Sequence, residues 1–209
     1  MVRAIKLYDD DLFITGCDSS TRWMLPWFEE RFYKHVPNGQ LKVFDFDKEE
    51  LNGWMNKPHA MLKASTLGRK RICWLDTDCE IRSDISDIFE HTERNKLLMG
   101  VDQPWSTRTY ETWHNTGVVA FQCLPNVPHI LSDWARDAAL LGDKFRGDQE
   151  LLHQMLKINL NRLIYITHLP KAYNTLRLDV MDNTAPKNIK VMHHTGAKGK
   201  QEIKRQMKT

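Results

Sequence analysis

The sequence predicts an α/β protein, one sheet covered by helices on both faces. Three observations predict it. Short apolar runs of strand length alternate with longer runs whose apolar residues recur at helical spacing. The 209 residues, 41% of them hydrophobic, are enough for one sizeable core and short for two full domains. No internal repeat or low-complexity stretch interrupts the alternation. Residues 1–200 therefore read as a single domain, and 201–209 as a basic tail or linker.

Leu12 to Gly16 is a buried strand, and Asp18-Ser19-Ser20 supplies the N-cap of the next helix. That helix carries Trp23, Trp27 and Arg31 on one stripe, with Met24, Phe28 and Phe32 beside it. Pro26 fits only near its first turn. Pro37-Asn38-Gly39 is a turn, and Leu41 to Asp47 alternates as a second strand. A helix around His59 to Leu67 stops at Gly68. Arg71 to Leu75 is a short apolar strand with Asp76-Thr77-Asp78 at its end. Ile85, Ile88 and Phe89 sit on a short helix, and Leu97–Val101 and Gly117–Phe121 are strands. Between those strands, Gln103 to His114 is polar and aromatic without a period, a long loop of the kind that often carries function. Val127, Ile130, Leu131, Trp134, Ala138 and Leu141 fall on helical spacing behind Pro125. A further helix begins near Asp148 with Leu151, Leu152, Met155 and Leu156 as its buried stripe. Leu163–Thr167 and Lys190–Met192 complete the strands, the last leading into His193-His194.

The composition narrows the function. A net charge of +3 is too small to argue for nucleic acid. The basic run Lys198, Lys200, Lys204, Arg205, Lys208 reads first as a solvated tail. Seven Trp suit a core and a flat-walled cleft. Cys17, Cys73, Cys79 and Cys123 form no CxxC pair, which argues against structural zinc; without a signal sequence, a disulfide framework is not expected. No run of eighteen apolar residues exists to span a membrane. The expectation is a soluble, cytoplasmic protein, with further domains of a longer polypeptide beyond the basic end.

The chemistry concentrates at five places. Asp76-Thr77-Asp78 puts two carboxylates immediately after a buried strand, where open α/β sheets bind ligands. Such a turn can aim both at one hard cation, which in turn bridges to phosphate oxygens. The alternative is an Asp-rich helix cap. An EF-hand loop would need Gly where Ile81 stands, and a haloacid-dehalogenase-type phosphatase normally has Thr or Val where Glu80 stands. His193-His194-Thr195-Gly196, with Lys198 and Lys200, could complete a metal site and meet a diphosphate, Gly196 allowing close backbone approach; surface residues are the plainer reading. Asp148-Gln149 opens a helix, and Asp148 also reads as its cap. Asn115 and Thr116 suit sugar hydroxyls or an ordinary turn. Thr15, Gly16 and Asp18, after the first strand, suit a base and ribose. Asp9-Asp10-Asp11 reads as a solvated acidic turn.

In order along the chain, the Thr-Gly strand, Lys57-Pro58, the DxD strand, Asn-Thr-Gly, Gly-Asp-Gln and the late His-x-x-Gly with lysines resemble the GT-A superfamily of nucleotide-sugar glycosyltransferases. The likeness is strongest to the retaining, glycogenin-like and galactosyltransferase-like branches, and among small members to the GT-A domain of a chlorovirus glycosyltransferase. It covers Leu12 to about Lys200. The resemblance implies a Rossmann-like mixed sheet with helices on both faces, a UDP-sugar donor, Mn²⁺ with Mg²⁺ as the other fitting ion, and a glycan or glycoprotein acceptor. It implies that Asp76, Asp78 and His193 hold the metal, and that Asp148 faces the reacting sugar. Lys57, Thr77 and Gln149 would join the substrate contacts, and Lys198 or Lys200 would neutralise the diphosphate. The family places Lys where this chain has Gly199, so the two flanking lysines compete for that role, as His194 does with His193. A metal-dependent nucleotidyltransferase and a carbohydrate-binding module are the other readings. The first would carry a Gly-rich basic loop, of which Thr15 to Asp18 is a poor version.

Overall fold

A computed structural model of the chain describes residues 10–49, 51, 53–102, 112–123 and 125–208. The strands are β1 (Asp11–Cys17), β2 (Leu41–Asp45), β3 (Arg71–Leu75), β4 (Cys79–Ile81), β5 (Leu97–Asp102), β6 (Trp113–Gln122), β7 (Ile166–His168), β8 (Thr175–Leu176) and β9 (Val191–His193). The helices are α1 (Leu25–His35), α2 (Asn56–Ser65), α3 (His129–Leu141), α4 (Asp148–Ile158), α5 (Arg177–Met181) and α6 (Gly196–Gln206).

Six strands form a mixed sheet in the order β2-β1-β3-β6-β5-β7. β1 runs parallel to β2 and β3, β6 runs antiparallel to β3 and β5, and β7 is parallel to β5. Its four inner strands, β1, β3, β6 and β5, are apolar on both sides because both sides are covered, while the edge strands β2 and β7 are partly polar. Leu12, Ile14, Ile72, Trp74, Leu97, Met99, Val119 and Phe121 pack with α2, α3 and α4. The residues that alternate with them, Phe13, Cys73, Leu75, Leu98, Val118 and Ala120, pack with α1 and with Ile203 of α6. The period of two thus divides one run of apolar residues between two cores.

A second, three-stranded sheet has the order β4-β9-β8. Neither β4 nor β8 was expected, since runs of three and two residues are too short to carry a period. The last strand is displaced by one residue from the expected Lys190–Met192 and includes His193. Leu163 and Ile164 are exposed in a 3-10 turn, and the strand follows only at Ile166. Trp113 to Thr116 belong to β6 and not to a loop; residues 103–111 of the expected loop lie outside the described residues. Asp18 does not cap α1, whose N-cap is Met24; it binds the Thr21 amide at 2.9 Å in the turn before.

The expected tail is also different. Residues 196–206 are helical, and Ile203 is fully buried against α1 and the second core. Gly199 lets α6 lie close against the segment that leads into it, because a Cβ there would collide with the backbone carbonyl of His194. Trp27 and Arg31 of α1 both donate to Gln206, each at 3.2 Å.

Candidate functional site

β3 ends at Leu75, and the chain turns through Asp76-Thr77-Asp78 into β4, leaving the large sheet for the small one. In the antiparallel ladder Cys79 lies opposite His193, so strand register alone carries the late imidazole onto the two carboxylates. His193 Nε2 lies 3.1 Å from Asp78 Oδ1 and 3.8 Å from Asp76 Oδ2. Gly117 leaves room for it, since a side chain there would overlap the imidazole ring.

The other ring nitrogen fixes the tautomer. His193 Nδ1 faces Asn115 Oδ1 at 3.1 Å and Asn174 Oδ1 at 3.2 Å. Asn115 Oδ1 also accepts from the Gly117 amide at 3.0 Å and from Asn174 Nδ2 at 2.9 Å, which identifies it as the oxygen. With only acceptors beside it, Nδ1 carries a proton, and Nε2 faces the carboxylates with either a second proton or a cation. Burial depresses the imidazole's basicity, but Asp78 and Asp76 outweigh it and raise the His193 pKa. Burial and the neighbouring Asp78 raise Asp76 despite Lys57, whereas His193 overcomes burial and lowers Asp78.

Lys57 ties the DxD turn to α4. Its side chain is 2% exposed, with Nζ at 2.9 Å from Asp76 Oδ1 and 3.1 Å from Asp148 Oδ2. It also donates to the backbone carbonyl and hydroxyl of Thr116, both at 3.2 Å. Burial opposes its charge, but the two carboxylates prevail and raise its pKa. Asp148 is in the first turn of α4, with Gly147 as the cap, where a carboxylate suits the helix dipole. Gln149 accepts from Asn115 Nδ2 at 3.2 Å and donates to Asp102 at 2.9 Å, joining β6, β5 and α4.

These groups open on a cleft of about 330 Å³, lined by Trp54, Lys57, Asp76, Asp78, Asp102, Asn115, Thr116, Asp148, Gln149, Leu176, His193, Thr195, Gly196 and Lys200. Four carboxylates meet two lysines there, an excess of negative charge that a divalent cation would offset. Asp78 Oδ1 and His193 Nε2, 3.1 Å apart, are a donor pair that suits Mn²⁺, with Asp76 Oδ2 3.8 Å from the same nitrogen as the neighbouring carboxylate; Mg²⁺ would rest mainly on the carboxylates. Asp76 is the most committed of the three, because Trp74 Nε1 donates to its Oδ1 at 2.7 Å and Lys57 holds it too. A second cavity of about 370 Å³ shares Trp54 but brings together neither paired carboxylates nor an imidazole.

Five expected contacts lie outside the cleft lining. Thr15 and Thr77 are fully buried, their hydroxyls enclosed by protein. Gly16 is covered by Phe46 and Trp74, so its missing side chain serves packing. Asp18 is engaged by Ser20 and Thr21. Lys198 is exposed, and of the two competing lysines only Lys200 lines the cleft. His194 is turned away, with Nε2 at 3.0 Å from Glu80 and its ring edge-on to Trp27. Trp54, Asp102, Asn174 and Leu176 join the site without having been singled out, and Thr195 of the late motif lines it too. Of these, Asp102 had a visible signal, a carboxylate ending an apolar strand.

No family model matches the chain, and no curated protein matches it. Solved structures do. A glycosyltransferase involved in the glycosylation of the major capsid of PBCV-1 superposes with a TM-score of 0.67 at 11% identity, over 95% of this chain and 99% of that one. The galactosyltransferase LgtC, in complex with donor and acceptor sugar analogs, gives 0.59 at 13% identity, over 88% and 87%. The glycosyltransferase GlyE of Streptococcus pneumoniae TIGR4 gives 0.59 at 13%, over 90% of this chain and 55% of that one. At such identities the likeness is one of fold. The chain has the GT-A fold of glycosyltransferases, a Rossmann-like mixed sheet with helices on both faces.

Proposed function

We propose that the chain is a metal-dependent glycosyltransferase acting in glycan biosynthesis. It transfers a hexose or deoxyhexose, with glucose the first candidate, from a UDP-sugar to a carbohydrate or glycoprotein acceptor, with retention. One observation carries the reading: on a glycosyltransferase fold, residues far apart in sequence, Asp76, Asp78, Asp148 and His193, line a single cleft.

Asp76, Asp78 and His193 would hold the cation, preferably Mn²⁺, which when bound offsets the charge that develops on the departing diphosphate. Lys200 and the backbone at Gly196 lie on the same cleft and suit phosphate oxygens. Asp148 supplies a carboxylate for the positive charge that grows on the transferred sugar. Lys57 lines the same cleft and holds Asp148 and Asp76 together, a positioning role beside the expected donor contact. Asn115, Thr116 and Gln149 offer hydrogen-bonding groups for sugar hydroxyls.

The test is donor hydrolysis over a panel of UDP-sugars with Mn²⁺. The expected result is slow UDP release without acceptor, abolished by EDTA. Pyrophosphate release from a nucleoside triphosphate would indicate a nucleotidyltransferase instead. Carbohydrate binding without turnover of either donor would indicate a binding module.

A further inference from the structure

The residue after the DxD is a cysteine, and its position is set by the small sheet. Cys79 begins β4 directly opposite His193 in β9. Opposed residues of an antiparallel pair share a face, so thiol and imidazole are neighbours by construction. One donor atom from each of Asp78, Cys79 and His193 lies within 4.8 Å of the other two, and all three residues are buried. Among the described residues, no other group of three such side chains meets this condition, and Cys17, Cys73 and Cys123 take no part in one. The Cys79 thiol makes only a long contact, 3.6 Å, to the Gly117 carbonyl.

Hard cations have little use for sulfur, whereas Zn²⁺ accepts thiolate, imidazole and carboxylate together at about 2.0–2.3 Å. Three protein ligands and one open position satisfy its tetrahedral preference. His193 already has its Nδ1 engaged by asparagine oxygens, which directs Nε2 to the cluster.

We propose that Asp78, Cys79 and His193 form a site for a thiophilic divalent cation of the Zn²⁺ class, which competes with the harder ion for the cleft. The Zn–S bond forms as the thiol proton leaves to solvent, with no change of oxidation state. Sharing Asp78 and His193, the two ions exclude each other. The competition rests on the cation reading given under the proposed function; the thiol ligation does not.

Co²⁺ is the spectroscopic probe for the Zn²⁺ site. Titrated into the metal-free chain, it should give an intense thiolate-to-cobalt band in the near ultraviolet that saturates at one equivalent and is displaced by Zn²⁺. In Cys79→Ser the band should vanish, while Mn²⁺ binding followed by electron paramagnetic resonance stays within about threefold of wild type. X-ray absorption at the zinc edge of the wild-type chain, which needs no variant, should count one sulfur. Co²⁺ bound without a sulfur band, a band that survives Cys79→Ser, or Mn²⁺ binding lost in that variant would overturn the proposal and leave the hard-cation reading standing. Failure of both Co²⁺ and Mn²⁺ to bind would overturn both.

Discussion

Lys57 shows how much of this site is decided by single side chains. An ammonium buried among two carboxylates and a threonine is stable only as a set. Removing one member of a buried ion pair leaves the other charge uncompensated, at a penalty of about 3–5 kcal/mol. Lys57→Met should therefore lower unfolding stability by roughly that amount in urea titration; a loss below about 1 kcal/mol would mean that water reaches the cluster. Asp148→Asn asks a different question. The variant takes one of the two carboxylates from Lys57 and so lowers stability, but Asp76 still pairs with the ammonium and the Trp134 indole still donates to the backbone carbonyl at 148, so the variant should fold. Transfer should fall at least about a hundredfold with UDP binding nearly intact, whereas an early-melting variant of normal specific activity would reduce Asp148 to a helix residue. His114 carries a pH dependence. Burial, then the neighbouring His168 and His153, depress its pKa to about 4, below the ordinary imidazole value of about 6.5. The unfolded chain then takes up this proton at higher pH than the folded one. The stabilisation is complete above about pH 6.5 and is lost as pH falls toward about 4, by about 3 kcal/mol at most. Comparing wild type with His114→Gln at pH 7.5 and pH 5 measures it; equal losses in both proteins would assign the acid sensitivity elsewhere.

Among elements, α6 is where composition misleads. Lys198, Lys200, Lys204 and Arg205 suggested a solvated tail, but the segment has one buried apolar residue, Ile203, and one contact glycine, Gly199. Those two, four positions apart, share a helix face, too sparse a stripe to stand out beside so many charges. Ile203→Ala should cost about 2–4 kcal/mol by denaturant unfolding, whereas a tail residue would change stability by less than about 0.5 kcal/mol. The large sheet was legible for the opposite reason: β1, β3, β5 and β6 are apolar on both faces and flanked by turn residues. The DxD was legible because it follows such a strand. What stayed hidden depends on pairing between distant segments. β4 and β8 exist only through β9, and with them come the placement of Cys79 and of Asn174. Thr15, Gly16 and Thr77 resembled ligand contacts because they adjoin strand ends; burial assigns them to packing. Lys57 was expected at the donor, but its reach to two carboxylates at once could not be read from neighbours in sequence.

At the scale of the whole molecule, the cleft lies where the two sheets meet. Asp76 follows β3 of the large sheet, His193 closes β9 of the small one, and Asp148 arrives on α4. A ligand held by all three spans elements that pack in different cores, so it is bound by the native arrangement and not by any one segment of the unfolded chain. Such a ligand stabilises the fold by mass action, about 2.7 kcal/mol at a hundred times its dissociation constant. For a domain near 200 residues, 1 kcal/mol corresponds to about 2–4 °C. Saturating Mn²⁺ should thus raise the melting temperature by roughly 5–10 °C, with a further rise on adding UDP. EDTA should reverse the first increment, and Asp78→Asn should abolish it, because the variant removes the carboxylate charge nearest His193 Nε2. The same variant removes the carboxylate that pairs with His193, the interaction that holds the Asp78 pKa down, so its own melting temperature without metal should fall below that of wild type. The metal-dependent increment separates the two effects. If it persists in Asp78→Asn, the cation binds elsewhere and the cleft must meet its donor through Lys200 and backbone groups alone.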